Sequence, residues 1–368
     1  MHIPIFLLTI LTTMPITSTA QGVNAGYDVQ KVKSQMLRLA THSWEYGTAA
    51  QALLELDNPE LSIFGASPFP IPGNPSGSAL EYAKQHITLT GDTLINGDGA
   101  LGDPASLGIP ALLLGKTDQR YRDAAERQTL HIFQAPKWPN GAISHRESVA
   151  ELWADFIYMV PPYLAYHGAY KSDEWLLRQA ISQCALYRDV LKSPSGLWTH
   201  IEGPQSADRG RWSTGNAWAA AGILRVLATI TKAPQSRGWR AEQDLLKSYL
   251  KEILDGAMSA QKDGGLLRNY LDDGSWFGEV SGTTLLVAVA YRAHTMHPDT
   301  FGRAYLDWAE EGRGEIARRV DGNGILAPAV NPLSWGDRNP VSTGSPEANA
   351  FGVLLYTAYR DYVNNSGK

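Results

Sequence analysis

The sequence predicts an all-α protein, a ring of about six helical hairpins around a central cavity. Three observations predict it. The first is a turn that recurs four times. Pro139-Asn140-Gly141-Ala142-Ile143-Ser144-His145 leads to Glu151 through Met159, and Pro194-Ser195-Gly196-Leu197-Trp198-Thr199-His200 leads to Arg211 through Trp218. Asp263-Gly264-Gly265-Leu266-Leu267 leads to Glu279 through Thr283, and Gly322-Asn323-Gly324-Ile325-Leu326 leads to Ser345 through Asn349. Gly141, Gly196, Gly265 and Gly324 lie 55, 69 and 59 residues apart, and repetition at such a period means one structural unit stacked several times. The second observation is that two kinds of helical segment alternate. The third is that no linker rich in Pro, Ser or Gly divides the chain in its middle. The 348 residues after the first 20 exceed one ordinary compact core, and without a linker they read as one ring rather than two domains.

Taken in order, residues 27–56 read as helical, with Val32, Met36, Leu37 and Leu39 before Thr41 through Gly47 and a further helix over 48–56. Residues 57–78 hold five prolines and read as a long loop. Helix resumes near 78–89, and the turn Asn96 through Asp103 precedes Ala105–Leu114. Amphipathic segments then follow at Tyr121–Phe133, Asp173–Leu191, Ala241–Ser259 and Phe301–Val320; each keeps its charges on one face and suits an outer position. Ala105–Leu114, Leu152–Tyr166, Ala217–Leu227, Thr283–Tyr291 and Ala348–Tyr359 are small, apolar and nearly uncharged, as a helix buried all round must be. With Trp44–Leu56 they make six inner helices. Strand-like alternation is confined to short loop stretches.

Residues 1–20 contain an apolar run too short to span a bilayer, followed by Ser18-Thr19-Ala20, and read as a secretory signal peptide. No later segment is apolar enough for a membrane helix. The net charge of −5 and the lack of a basic stripe argue against nucleic-acid binding. The single cysteine, Cys184, excludes an intrachain disulfide. No His pair has metal-ligand spacing and no HExxH or CxxC occurs, so neither a metal nor another cofactor is expected. Eleven Trp and sixteen Tyr are many for this length; most serve packing, and some suit stacking on sugars. Asn364-Asn365-Ser366 is a glycosylation sequon.

The unusual polar residues fall where the inner helices start: Trp44 and Glu45, Asp98 and Asp103, Glu151 and Asp155, Arg211 to Trp218, Glu279 and Ser281, Ser345 and Glu347. Helix N-termini present free N–H groups and favour anions, so a cavity at six such ends suits a carboxylate-bearing ligand. Asp155 is read as lying inside an apolar helix, with Glu151 one turn earlier on the same face. Partial desolvation there raises a carboxyl pKa and suits a general acid; a carboxylate satisfied by a structural Arg or by loop N–H groups fits the same residues. Arg211, Trp212, Asn216 and Trp218 supply a cation, two rings and an amide that suit a sugar carboxylate; an outward Arg on a capped helix start fits them nearly as well. His145 and His200 occupy one place in two copies of the turn, where one suits substrate and the other structure. Glu279 and Ser345 fit helix caps.

The run Glu151 through Pro161, the run Arg211 through Trp218 and the run Glu279 through Thr283 resemble the signatures of glycoside hydrolase family 105, the unsaturated rhamnogalacturonyl hydrolases. The unsaturated glucuronyl hydrolases of family 88 share that architecture. The resemblance covers most of the mature chain, its most specific part being Trp153, Asp155, Met159 and the proline after them. Ser43-Trp44-Glu45-Tyr46-Gly47 is similar to secreted fungal members. The resemblance implies an (α/α)6 barrel in one catalytic domain over 21–368. It implies hydration of a 4,5-unsaturated uronic acid at the non-reducing end of a lyase-generated pectin or rhamnogalacturonan oligosaccharide. Asp155 would then donate a proton to C4 and help water add at C5. A second Asp would assist, with Asp103 the better fit by position and Asp98 the next. Trp44, His200, Arg211, Trp212, Asn216 and Trp218 would bind substrate, although the family often has Gly before the final Trp where this chain has Ala217. A secreted monomer acting on an oligosaccharide is expected. Two other readings stand beside it: an inverting glycosidase with Asp155 as acid and Glu279 or Asp103 as base, and an oligosaccharide-binding protein without activity.

Overall fold

The computed structural model describes residues 22–367; the expected signal peptide lies outside the described residues. Among these, twelve α-helices alternate between an outer and an inner layer: α1 (Val29–Leu39), α2 (Ser43–Asp57), α3 (Ser78–Lys84), α4 (Gly108–Leu114), α5 (Gln119–Gln134), α6 (Phe156–Lys171), α7 (Glu174–Leu191), α8 (Ser213–Lys232), α9 (Arg240–Ser259), α10 (Val280–Met296), α11 (Arg303–Ala317) and α12 (Pro346–Ser366). They pack as six antiparallel pairs, each even-numbered helix against the odd-numbered one that follows it, and α12 against α1. The even-numbered helices pack side by side in chain order and α12 returns to α2, which closes the ring; a 3-10 turn, Asp103–Leu107, completes the place of the short α4. The odd-numbered helices lie outside. Sequence decides the layer. α8 is buried from Ser213 to Ile230 with no polar face, whereas α9 buries Leu246, Leu250, Ile253, Leu254 and Ala257 and leaves its charges to solvent.

The recurring turn is built each time on a left-handed glycine. Gly141, Gly196, Gly265 and Gly324 have φ of 96°, 87°, 85° and 86°, a left-handed geometry that strains any residue with a Cβ. The flanking residues bridge alike in three copies, six residues apart, while the third is a shorter turn through Gly264 and Gly265, both at positive φ. Lys137 pairs with Ile143, Lys192 with Trp198 and Val320 with Leu326, and β3 (Lys262–Asp263) pairs with β4 (Leu266–Leu267). Each copy is thus a tight hairpin between the end of an outer helix and the start of the next inner one.

Two expectations need correction. The inner helix expected at Leu152–Tyr166 begins only at Phe156. Leu152–Trp153 instead forms β1, antiparallel to β2 (Ile201–Glu202), with Trp153 opposite Ile201. Asp155 therefore occupies the N-cap position of α6 rather than its interior. Glu151 is not a turn before it on a helical face. Its Oε1 accepts from the backbone N–H groups of Gln205 and Ser206, 3.0 and 2.7 Å away, and its Oε2 from Trp153 Nε1. Glu151 pins the loop after β2.

At the opposite end of the ring the inner helices are tied by buried charges. Glu55 of α2 accepts from Arg225 of α8 and from Arg292 of α10, the latter at 2.9 Å, and Arg292 also reaches Asp361 of α12. Thr357 donates to the same Glu55 carboxylate.

Candidate active site

The N-terminal ends of five inner helices surround a cavity of about 290 Å³, at the small end of the range for small-molecule sites. His42 and Trp44 come from the start of α2, Asp103 from the turn before α4, Asp155 from α6, Trp212 from α8 and Glu347 from α12. The start of α10 stays out. Its Glu279 is fully buried, accepts from the N–H groups of Ser281 and Gly282 and from Ser213 Oγ, and so caps its helix. That use leaves Glu279 no place as a base.

Tryptophans wall the cavity. Trp153 and Trp335 meet edge to face at 5.4 Å, and Trp212 lies against His200 at 4.4 Å. Trp218 lies at the floor with Met159 and packs on Tyr158. Trp44 is fixed by its Nε1 donating to Glu347 Oε1 at 2.7 Å. Such faces suit the C–H surfaces of a sugar ring.

The polar groups form two similar couples. His145 Nε2 stands 3.7 Å from Asp103 Oδ1, and His200 Nε2 stands 3.4 Å from Asp155 Oδ2. In each, the histidine of one hairpin faces the carboxyl group at the start of the preceding inner helix. Their environments differ. Burial pushes the Asp103 carboxyl up to about 8, and the charges of Asp155 and Asp98 add to this while Arg146 opposes it. Burial pushes His145 down to about 4 despite the pull of Asp155. Burial would lower His200 as well, but its hydrogen bonds and charge interactions with Asp155 and Asp208 outweigh that and raise it. In the first couple the carboxyl is thus pushed up and the imidazole down, whereas in the second the imidazole is pushed up. Oppositely displaced titrating groups in one cleft mark acid–base sites. His145 Nδ1, Asp155 Oδ2 and His200 Nε2 are buried without a hydrogen-bond partner.

Of the residues expected from sequence, the cavity gathers Asp155, Asp103, Asp98, Trp44, His200, Trp212 and Trp218. Two are placed elsewhere. Arg211 does not line the cavity: its guanidinium pairs with Asp272 at 3.1 Å and donates to Arg209 O. Asn216 is fully buried, and its amide bonds to the Trp198 backbone N–H and to the carbonyls of Trp198 and Trp212. It holds the second hairpin against α8. The cation in the cavity wall is Arg146, whose guanidinium lies 5.9 Å from the Trp153 ring centre. Among the described residues no carboxylate lies within 4.0 Å of it. Sequence reasoning missed Arg146, although its place directly after His145 in the first hairpin carried the signal. Trp335 and Leu333 were missed too, because they come from the loop 328–342. Among the described residues no cluster of three or more His, Cys, Asp or Glu is placed to hold a metal ion, and no helix is long and apolar enough to cross a membrane.

A closed helical ring with two carboxyl groups between tryptophan walls defines a glycoside hydrolase of the helical-barrel class. The chain belongs to glycosyl hydrolase family 88, whose model matches residues 85–330. No curated protein matches it. Solved structures do. A possible member of the GH105 family from Klebsiella pneumoniae is similar with TM-score 0.71 at 17% identity, over 90% of this chain and 91% of that one. Another possible member from Salmonella enterica gives 0.68 at 18%, over 90% and 92%. An unsaturated glucuronyl hydrolase specific for heparin gives 0.65 at 13%, over 94% and 97%. At these identities the likeness is one of fold, and it is the (α/α)6 barrel expected from the sequence.

Proposed function

We propose that the protein removes a 4,5-unsaturated uronic acid, unsaturated galacturonate in pectin or rhamnogalacturonan fragments, by hydrating its C4=C5 bond. The observation that carries this reading is that Asp103 and Asp155 line one cavity between tryptophans, with burial and the Asp155 charge raising the Asp103 carboxyl. A second negative charge close by favours the protonated form of a buried carboxyl, so Asp103 is the group that holds a proton for the site. Asp155, facing the cavity beside His200, delivers that proton to C4. Water adds its hydroxyl to C5 and returns its own proton to the carboxyl pair. The resulting hemiketal opens the ring, and the sugar chain leaves as an alcohol. The vinyl ether needs only this protonation and a water, so a carboxylate on each side of the glycosidic bond is not required.

The other groups fit the same substrate. Helix N-termini favour an anion, and Arg146 offers a forked donor to the uronate carboxylate. Trp44, Trp212 and Trp218 pack on the ring. With the reading go the expectations of a secreted monomer that loses residues 1–20 and needs no cofactor. Turnover of a lyase-generated disaccharide in D₂O tests it. The expected uronate product carries one deuteron at C4 and no double bond; a released uronate that keeps C4=C5 overturns it.

A further inference from the structure

The two His–Asp couples differ by one residue. His145 has one carboxyl group within 4.0 Å, Asp103, with Asp155 and Glu151 acting from further off, and its Nδ1 has no hydrogen-bond partner. His200 has two. Its Nε2 faces Asp155, and its Nδ1 lies 2.9 Å from Asp208 Oδ2. A carboxylate only accepts, so Nδ1 donates to Asp208, while Nε2, which makes no hydrogen bond here, is left 3.4 Å from the Asp155 carboxyl and aimed at it. The ring itself is fully buried, with Trp153, Trp212 and Trp335 around it. Its titrating neighbours are Asp155 at the start of α6, Asp208 on its own loop, and His145 across the cavity.

Asp208 is itself built in. The loop 201–208 closes by paired backbone hydrogen bonds between Ile201 and Asp208, 2.9 and 3.0 Å long. Glu151 holds its tip through Gln205 and Ser206. Asp208 Oδ1 accepts from the Gly210 N–H at 3.1 Å, and Oδ2 also accepts from the hydroxyl of Tyr270, which arrives from the third hairpin. A Cβ at Gly210 would stand 2.2 Å from the Tyr270 ring, so the glycine is what lets that ring reach the carboxylate. Residues from two hairpins thus converge on one side of one histidine.

We propose that Asp208 is a positioning residue, held by Tyr270, that locks the His200 ring between two carboxylates so that Nε2 presents a proton to Asp155. Asp208 does not line the cavity itself and reaches it through His200. Its catalytic consequence rests on the hydration reading above. The state of His200 does not.

The test follows the His200 imidazole by NMR in the free full-length enzyme, beside kcat and KM across pH. In Asp208→Asn the His200 midpoint falls by at least about one unit. Its kcat falls roughly tenfold with KM within about threefold, and the alkaline limb of kcat moves down with the midpoint. Asp208→Glu keeps the charge and restores much of both. Tyr270→Phe removes a donor from Asp208, makes that carboxylate a stronger acceptor, and moves the midpoint up. An Asp208→Asn midpoint unchanged within about 0.3 units, or the same direction of shift in both variants, overturns the proposal. If His200 shifts as stated while unsaturated uronides are not turned over, the function reading fails and this one stands. Turnover with an unmoved His200 means the reverse.

Discussion

Asp103 carries the sharpest consequence at the scale of single residues. Its carboxyl is raised from 3.8 to about 8 in the fold, so between those values the folded chain holds a proton that the unfolded chain has lost. Its stabilising contribution is complete below about 3.8 and is lost as pH rises through about 8. Asp103→Asn should therefore gain thermal stability relative to the parent as pH rises from 5 to 8.5, by about 2 °C or more. Its turnover should fall about 100-fold or more. A stability difference that is flat with pH would remove the buried proton from the account. The two arginines separate just as clearly. Arg146→Ala should raise KM about tenfold with little change in kcat, while Arg211→Ala should change neither by more than about twofold; steady-state kinetics on one disaccharide reads both. The sequence exposed Asp155, Asp103 and the tryptophans because unusual side chains at helix starts stand out by position. It misplaced Arg211 because Asp272, which neutralises it, is 61 residues away. It hid Arg146 because a lone arginine in a turn has no pattern until Trp153 is seen beside it.

The hairpin is the element that places the site. Four glycines spaced along the chain were enough to find it, since the left-handed turn admits little else. What spacing did not reveal was that Leu152–Trp153 leaves the helical pattern to pair with β2, a contact across 48 to 50 residues that moves Asp155 to a helix start. Local periodicity counts apolar residues and is blind to such pairing. The element's rigidity is testable. A Cβ at Gly196 would meet Glu252 O at 2.4 Å and must also sit at φ 87°. Gly196→Ala should cost about 2 kcal/mol or more in denaturant unfolding. Gly336→Ala, with open space around it, should stay within about 0.5 kcal/mol.

At the scale of the whole molecule, the ring holds chemistry at one end and a buried ion network at the other. Glu55 binds guanidinium groups from two other inner helices, and Glu55→Gln leaves them underpaired. We expect a loss of about 3–5 kcal/mol, measured by denaturant unfolding, with KM unchanged because the network is remote from the cavity. The ring itself was legible from the alternation of amphipathic and uniformly apolar helices, and the shape of the loop 328–342 that brings Trp335 over the cavity was not. The reaction proposed for this barrel is hydration of a double bond by its paired carboxyl groups. The absorbance of the conjugated C=C–COO⁻ group, followed on an unsaturated pectin disaccharide with parent and Asp155→Asn enzymes, tests that most directly. The account predicts that the parent abolishes the absorbance as the neighbouring sugar is released, while Asp155→Asn binds the disaccharide and leaves the absorbance at least about 100-fold longer. Release of sugar with the absorbance unchanged, or equal rates for the two proteins, would contradict it.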